Sequence, residues 1–314
     1  TIGAIAGAIL GSLLGVEAFY ASMLQQVESV SGLHLTEAAT AMLSLRGPSG
    51  ADAVTQSASE PATSTTLDGP TDPQPTEETT ASSPPADSSV GRVVLMGQIL
   101  VDRVFTMTTE FYRTHTKWVN DKGPHVGGGL NALVAARRMG AEAISLSPIG
   151  QGPNASLIEQ ALAREGIVDA GPRVEGVDNG FCVALIDSQA ERTFISTKGA
   201  ETMAPASAWT DFVRTMTPGD VLYVDGYLMD HPANREAAEA ALRVLPEGVR
   251  VVLDVSPIIG IPDTLPSDGI IVSMNHREAQ EIAHQRGDAS VRDQCKQPRE
   301  AARVMLGLLG RPVL

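Results

Sequence analysis

Between Arg46 and Arg92 the chain carries no lysine or arginine, and no other feature restricts its folding so strongly. From Ala51 to Val90 there are seven acids (Asp52, Glu60, Asp68, Asp72, Glu77, Glu78 and Asp87), six prolines and many serines and threonines. Large apolar side chains are almost absent there. A segment of this kind buries too little surface to offset the entropy of ordering it. Residues 47–90 are therefore expected to form a disordered, self-repelling linker. Its seven uncompensated acids make up half of the net charge of −14. What remains is mildly acidic, which argues against a surface that coats nucleic acid. With 43% hydrophobic residues over 314 positions, the chain still has material for a sizeable core and about two domains. Two cysteines, Cys182 and Cys295, exclude a disulfide-stapled scaffold and fit a reducing, cytoplasmic setting.

The linker separates two unlike pieces. Residues 1–46 read as helical, because Ala, Leu, Ile and Met dominate and β-branched runs are short. The piece opens on Thr1 rather than Met, so it is expected to be cut from something longer. Ile2 to Val16 carries no charge, but the run is shorter than the roughly 18–20 residues a bilayer span needs. No basic stretch precedes it, so it does not read as a signal peptide, and no membrane contact is expected. Gly3, Gly7, Gly11 and Gly15 recur at every fourth position and form a smooth stripe on one helix face. In lipid such a stripe pairs helices. In a soluble protein it marks a helix buried all round in an all-α core, which is the reading adopted here. Further helices are expected over 21–30 and 35–45, divided by the turn at Ser31-Gly32.

The string Thr1-Ile2-Gly3-Ala4-Ile5-Ala6-Gly7-Ala8-Ile9-Leu10-Gly11 resembles the C-terminal segment of the ADP-ribosylglycohydrolase family. Gly15-Val16-Glu17-Ala18 and Leu24-Gln25-Gln26-Val27-Glu28 resemble that family's tail. The resemblance implies that Thr1 is the threonine of an Asp-x-Asp-Thr motif and a vestigial ligand of a magnesium pair. The two aspartates would lie upstream, and without them the piece cannot hold hard cations.

From Gly91 the pattern changes. Arg92 to Met96 is β-rich and apolar and ends at Gly97, as a buried parallel strand does. Half-exposed strands are expected over 105–109 and 114–119. Gly127-Gly128-Gly129 leads into a helix from Asn131 to Met139 that stops at Gly140. Strands are expected over 143–149, 181–186, 192–196, 221–224, 251–255 and 269–273, and helices over 156–165, 232–244 and 276–286. Alternating strands and helices indicate an α/β fold with a mainly parallel sheet, and the exposed strands indicate a small β flap.

Chemistry-bearing residues cluster at expected strand ends, where α/β proteins place ligands. Asp102 follows the first strand, and a carboxylate there can accept hydrogen bonds from two vicinal hydroxyls of a sugar, or simply cap a turn. The triple glycine lets backbone approach a ligand at a helix N-terminus. It is not a Walker A loop, and no Gly-x-Gly-x-x-Gly fingerprint occurs. Asn275 and Glu278 open a helix, either as an N-cap box or as a pair that orders water around a magnesium-bound phosphate. The six histidines show no metal-ligand spacing, no Gly-x-Ser-x-Gly elbow is present, and Cys182 sits in an apolar strand as a packed residue.

These residues resemble the ribokinase-like (PfkB) carbohydrate kinases over 91–314. The string from Gly127 through Leu130-Asn131-Ala132 to Gly140-Ala141 is similar to the family's first signature. Ile149-Gly150 and Leu162-Ala163-Arg164-Glu165-Gly166-Ile167 continue it. Glu191-Arg192-Thr193-Phe194 resembles the lid strand, Gly199-Ala200-Glu201 the turn after it, and Asn275-His276-Arg277-Glu278 the Asn-x-x-Glu motif. The resemblance implies a three-layer α/β/α fold with a β lid. It also implies ATP as co-substrate, Mg2+, and a sugar or nucleoside as acceptor. Asp102 would bind substrate hydroxyls, Gly128, Gly129 and Asn131 would line the pocket, and Asn275 and Glu278 would place magnesium and phosphate. A homodimer through lid strands is the assembly it suggests. The family's catalytic base lies on a Gly-x-Gly-Asp loop, expected beyond Arg311-Pro312-Val313-Leu314. Residues 1–314 alone are therefore expected to turn over negligibly. A non-catalytic sugar- or nucleoside-binding protein on the same fold is the alternative.

Overall fold

The computed structural model describes residues 91–110, 116, 118–189, 191–257, 264–265, 269–285, 298–310 and 313. Expectations for 1–46, including Thr1, for the linker over 47–90, and for half of the strand over 114–119 lie outside the described residues, and the described 116, 118 and 119 are not in a strand.

Among the described residues, ten strands form two sheets. The larger contains β1 (Val93–Met96), β4 (Ala143–Ser145), β5 (Val168–Asp169), β8 (Val221–Asp225), β9 (Arg250–Asp254) and β10 (Ile270–Ser273). Their order is β10-β9-β8-β1-β4-β5, and every pairing is parallel. The strands are continuous apolar runs because both faces are covered. Val94, Met96, Leu222, Val224, Val251 and Leu253 pack into one core, while Val93, Leu95, Val221, Tyr223 and Val252 pack into another. The second core is closed by α1 (Leu130–Arg138) and α2 (Pro153–Arg164), through Leu133, Ile158 and Leu162. The first is closed by α5 (Pro232–Leu242), α6 (His276–Gln285) and α7 (Pro298–Leu309), through Ala237, Ala241, Ile282 and Met305. Two single-turn helices, α3 (Thr210–Val213) and α4 (Gly226–Met229), complete the described α-helices. The result is the expected three-layer α/β/α arrangement. Among the described residues no helix is long and apolar enough to cross a membrane.

The second sheet is the expected flap. Its order is β3-β2-β6-β7, from β2 (Ile99–Thr106), β3 (Asn120–Gly128), β6 (Phe181–Ile186) and β7 (Arg192–Ser196). Glu201 fastens the roots of the β6–β7 hairpin. Buried at 1% exposure, its carboxylate accepts the Gly180 N–H at 2.7 Å and the Gly199 N–H at 2.8 Å.

The flap corrects two expectations. The strand expected at 105–109 begins at Ile99, so Asp102 lies within β2 rather than in a turn after β1. The glycine run is not a free loop, since Gly127 and Gly128 end β3 and only Gly129 stands between that strand and α1. Further along, the strand expected over 143–149 ends at Ser145, and Ile149 makes only a bridge to Arg173.

Candidate functional site

The chain order within the main sheet reverses between β1 and β8. From β1 it runs outward through β4 to β5, and from β8 outward through β9 to β10. Ligands of open α/β sheets bind outside the carboxyl ends of the strands at such a reversal. Here that place is made by Gly97 and Gln98 after β1, Asp225 at the end of β8 and Asp254 at the end of β9. Asp225 and Asp254 are register partners.

Hydrogen bonds join this edge to the glycine corner. The Gly129 N–H donates to the Gln98 carbonyl at 2.9 Å. The Gln98 N–H donates to Asp225 Oδ2 at 3.1 Å, and the Tyr227 N–H donates to Asp225 Oδ1 at 2.8 Å, so Asp225 caps α4. The chain must pass closely here. A Cβ on Gly97 would stand 2.7 Å from the Asp225 Cβ, and one on Gly226 would stand 2.5 Å from the Asp254 carbonyl oxygen.

Each glycine of the triple has its own reason. A Cβ on Gly127 would collide with the Asp102 carboxylate. Gly128 has φ +66°, and its Cβ would meet the Gln98 carbonyl at 2.7 Å. A Cβ on Gly129 would meet Leu95 at 2.6 Å. The run thus serves first to let the protein's own parts close up, and the approach to a ligand is a consequence. Asp102 is held directly against Gly127, and Asn131 follows in the first turn of α1, half-buried. Asp102, Gly128, Gly129 and Asn131 are therefore brought to one corner.

Asp102 is half-buried, and no hydrogen bond between described residues ends on its carboxylate. Burial raises its pKa, and the neighbouring His125 opposes that rise. It stands in register with His125 on β3 and Cys182 on β6, and Cys182 in turn with Ser196 on β7. Directly opposed residues share a face of a sheet, so these four form one row.

At the strand ends the electrostatics are unusual. Burial pushes Asp225 up to about 6, against the two backbone N–H bonds it accepts. Burial and then the charges of Asp225 and Glu278 push Asp254 up to about 7. Asp254 Oδ1 and Gln98 Nε2 are buried without a hydrogen-bond partner. A buried polar atom left unpaired is costly, and such atoms mark places that a ligand, water or ion completes.

Asn275 and Glu278 form the N-cap box of α6. Asn275 Oδ1 accepts the N–H groups of Arg277 and Glu278 at 2.9 and 3.0 Å, and Glu278 Oε2 accepts the Asn275 N–H at 2.7 Å. The capping reading of the pair is thus realised. It does not use Glu278 Oε1, and Glu278 is close enough to Asp254 to raise its pKa. Among the described residues no three His, Cys, Asp or Glu side chains are grouped to enclose a metal ion. Magnesium keeps much of its water and takes one or two carboxylates plus substrate phosphates, so Glu278 and the orphaned Asp254 oxygen fit that ion without a protein cage.

Gln98, Asp225, Asp254 and Tyr227 were not singled out from the sequence. The available signal was an aspartate ending each of two apolar runs, Val-Leu-Tyr-Val-Asp and Val-Val-Leu-Asp, at strand carboxyl ends.

Comparison with known proteins agrees with this fold. Residues 92–306 match the family described as pfkB family carbohydrate kinase. A protein of Escherichia coli (strain K12), described as uncharacterized sugar kinase YegV, is 34% identical over 200 residues, covering 62% of this chain and 60% of that one. The chain thus spans less than two thirds of that relative's length. Among solved structures, a ribokinase from Cryptococcus neoformans var. grubii serotype A in complex with ADP superposes with a TM-score of 0.52. It has 19% identity, over 69% of this chain and 68% of that one. A fructokinase with bound ATP from Xylella fastidiosa gives 0.52 and 14%, over 71% and 70%. At these identities the superpositions speak for the fold.

Proposed function

The chain belongs to the pfkB family of carbohydrate kinases, and from that premise we propose that the crevice at the β1/β8 reversal binds a sugar or nucleoside. The whole protein then phosphorylates a hydroxymethyl group on that ligand with ATP. The observation that carries the reading is the Asp102 carboxylate, set against Gly127 at the corner that opens α1 and tied through Gln98 to the strand ends.

Asp102 accepts hydrogen bonds from two substrate hydroxyls, while Gly128, Gly129 and Asn131 line the same corner. In the transfer, the hydroxyl oxygen bonds to the γ-phosphorus as the bond to the β,γ-bridging oxygen breaks. The hydroxyl proton passes to a base. Asn275 and Glu278 sit where α6 opens and place magnesium and phosphate through water. Magnesium supplies charge neutralisation on the phosphates. No Gly-x-Gly-Asp occurs in the 314 residues, so the proposal assigns the base to sequence outside them and expects this chain alone to bind without turnover.

The remaining readings are proposals on sequence resemblance. Residues 1–46 are a remnant of an ADP-ribosylglycohydrolase module, 47–90 a flexible tether and 91–314 the kinase module, in a bifunctional cytoplasmic protein. Exposed Phe194 and Ile195 on β7 support a homodimer through the flaps.

The test is ligand protection of the 314-residue chain against thermal unfolding by D-ribose, D-fructose and adenosine. At least one should stabilise it by mass action, and Asp102→Asn should lose the effect. Absence of protection by all three, or protection that survives Asp102→Asn, contradicts the reading. ATP consumption by the whole protein in the presence of the protecting compound separates a kinase from a sugar-binding protein on the same fold.

A further inference from the structure

The β6–β7 hairpin enters and leaves the flap through buried backbone, held by side chains from elsewhere in the fold. Asn179, Glu201 and Asn234 are each at most 2% exposed. Asn179 leads into β6. Its Oδ1 accepts the Gly150 N–H at 2.9 Å, and its Nδ2 donates to the Pro148 carbonyl at 3.1 Å. Its own carbonyl accepts Asn154 Nδ2 at 2.8 Å. The entry is thus tied to α2 and to the segment before it. The exit is tied to α5. Asn234 Nδ2 donates to the Glu201 carbonyl at 2.7 Å, and Asn234 Oδ1 accepts the Ala204 N–H at 2.8 Å. The Glu201 carboxylate then joins exit to entry, one oxygen taking the Gly199 N–H and the other the Gly180 N–H. The two ends are too close for side chains. A Cβ on Gly180 would stand 2.5 Å from Glu201 Oε1, and one on Gly199 would collide with the Gly180 nitrogen. None of Asn154, Asn179, Glu201 and Asn234 has a buried side-chain nitrogen or oxygen left without a partner, in contrast to Gln98 and Asp254. A buried polar network satisfied in this way specifies one geometry.

This clamp reaches Asp102 through one residue. Gly180 is held on both sides, its N–H by Glu201 and its carbonyl by the Val101 N–H at 3.4 Å. Val101 immediately precedes Asp102. From there the parallel β2–β6 pairing sets Val101 beside Phe181 and Asp102 beside Cys182. Strands joined by a ladder of hydrogen bonds shift together or not at all. The height of the Asp102 carboxylate over the crevice is therefore set where Gly180 is held.

We propose that Glu201 is a positioning residue for sugar binding: it is too buried to touch a ligand, and by holding Gly180 it fixes Asp102 in its binding place. The proposal rests on the sugar-binding reading above and adds the support which that reading requires. A binding group held loosely must be ordered by its ligand, and affinity falls by that cost. A carboxylate suits the task because each of its oxygens answers one N–H, whereas a glutamine offers one oxygen and turns an NH2 toward the other donor.

The experiment uses the 314-residue chain. In the parent sequence without ligand, amide hydrogen exchange at Gly180 and Gly199 should be within about tenfold of that at Val94 and Leu222 in the main sheet. Dissociation constants for D-ribose, D-fructose and adenosine are then measured by NMR titration. The proteins are the parent, Glu201→Gln, Gly180→Ala, the two combined, Asp102→Asn and, as a destabilised control, Asp220→Ala. Glu201→Gln and Gly180→Ala should each weaken binding by the folded protein about tenfold. Combined, they should lose no more than the worse of the two, since both break one contact. Asp220→Ala should bind like the parent, which separates positioning from loss of stability. Exchange at Gly180 or Gly199 far faster than in the main sheet, parent-like binding by Glu201→Gln, or equal weakening by Asp220→Ala overturns the proposal. If Asp102→Asn still lost binding in that case, the sugar-binding reading would stand alone. Should Glu201→Gln not fold, Gly180→Ala and the exchange rates decide in the same way. Failure of all three probes with the parent sequence would remove both.

Discussion

Asp220 stands just before strand β8 and Asp225 ends it, and the two are treated oppositely. At the amino end, burial works against the charge of Asp220, but the Arg92 guanidinium and the N–H groups of Thr217 and Arg92 outweigh it and hold the carboxyl below its usual range. The ion pair is 2.6 Å long, and Arg92 Nε and both backbone donors complete it. At the carboxyl end, Asp225 has two backbone donors and no described cation, its partner in register is another aspartate, and both are pushed up. A fold that pairs a buried carboxylate with a cation at one end of a strand has left two without a described cation at the other, and one oxygen, Asp254 Oδ1, without a hydrogen-bond partner. The amino edge is built for stability, and the carboxyl edge, where the proposed site lies, gives some of it up.

The largest effect expected from breaking this contrast is at the amino edge. Asp220→Ala strands the Arg92 guanidinium and two backbone donors and should cost about 3 kcal/mol in chemical denaturation, with sugar binding retained in the folded fraction. At the other edge, Asp102→Asn should cost about 2 kcal/mol of ligand binding in calorimetry and leave the free protein no less stable, because a desolvated charge is removed.

Smaller effects concern pH and the α6 cap. Asp254 titrates at about 7 in the folded chain and roughly 3.9 when unfolded. Between those values the native state holds a proton that the unfolded chain has released. Stability from this group therefore falls as pH rises from about 4 through about 7. Asp254→Asn should flatten that slope and make the protein more stable at pH 8 by about 1–2 kcal/mol, read from denaturation at a series of pH values. A lowered stability at pH 8 would mean that the charged form has a compensating partner. Asn275→Ala removes the acceptor for two N–H groups and should cost about 1 kcal/mol, with Asn275→Asp close to neutral.

The main sheet was legible because both of its faces are buried. Runs such as Val93–Met96 and Val221–Asp225 need no partner to be recognised. The flap was legible in β6 and β7, an apolar run and a second short strand set around a polar turn, and in the last part of β2. β2 was read from Phe105 onward because Asp102 and Arg103 interrupt its apolar residues, although pairing with β3 and β6 extends it back to Ile99. β3 holds Gly123, Pro124 and two of the three glycines, so its strand character comes from pairing with β2 and not from its own sequence. The same cause hid half of the site. Asp102 and the glycines are adjacent to recognisable signals, but Asp225 and Asp254 acquire meaning only when the sheet order sets them side by side.

Amide NMR shifts of the 314-residue chain, followed while D-ribose and then D-fructose are added to saturation, test the central claim most directly. The predicted shifts concentrate at Gln98, Asp102, Gly127 to Asn131 and Asp225 to Tyr227, with Arg92, Thr217 and Asp220 unmoved. Shifts gathered at the Asp220 end of the strands, or none with either sugar, would contradict it.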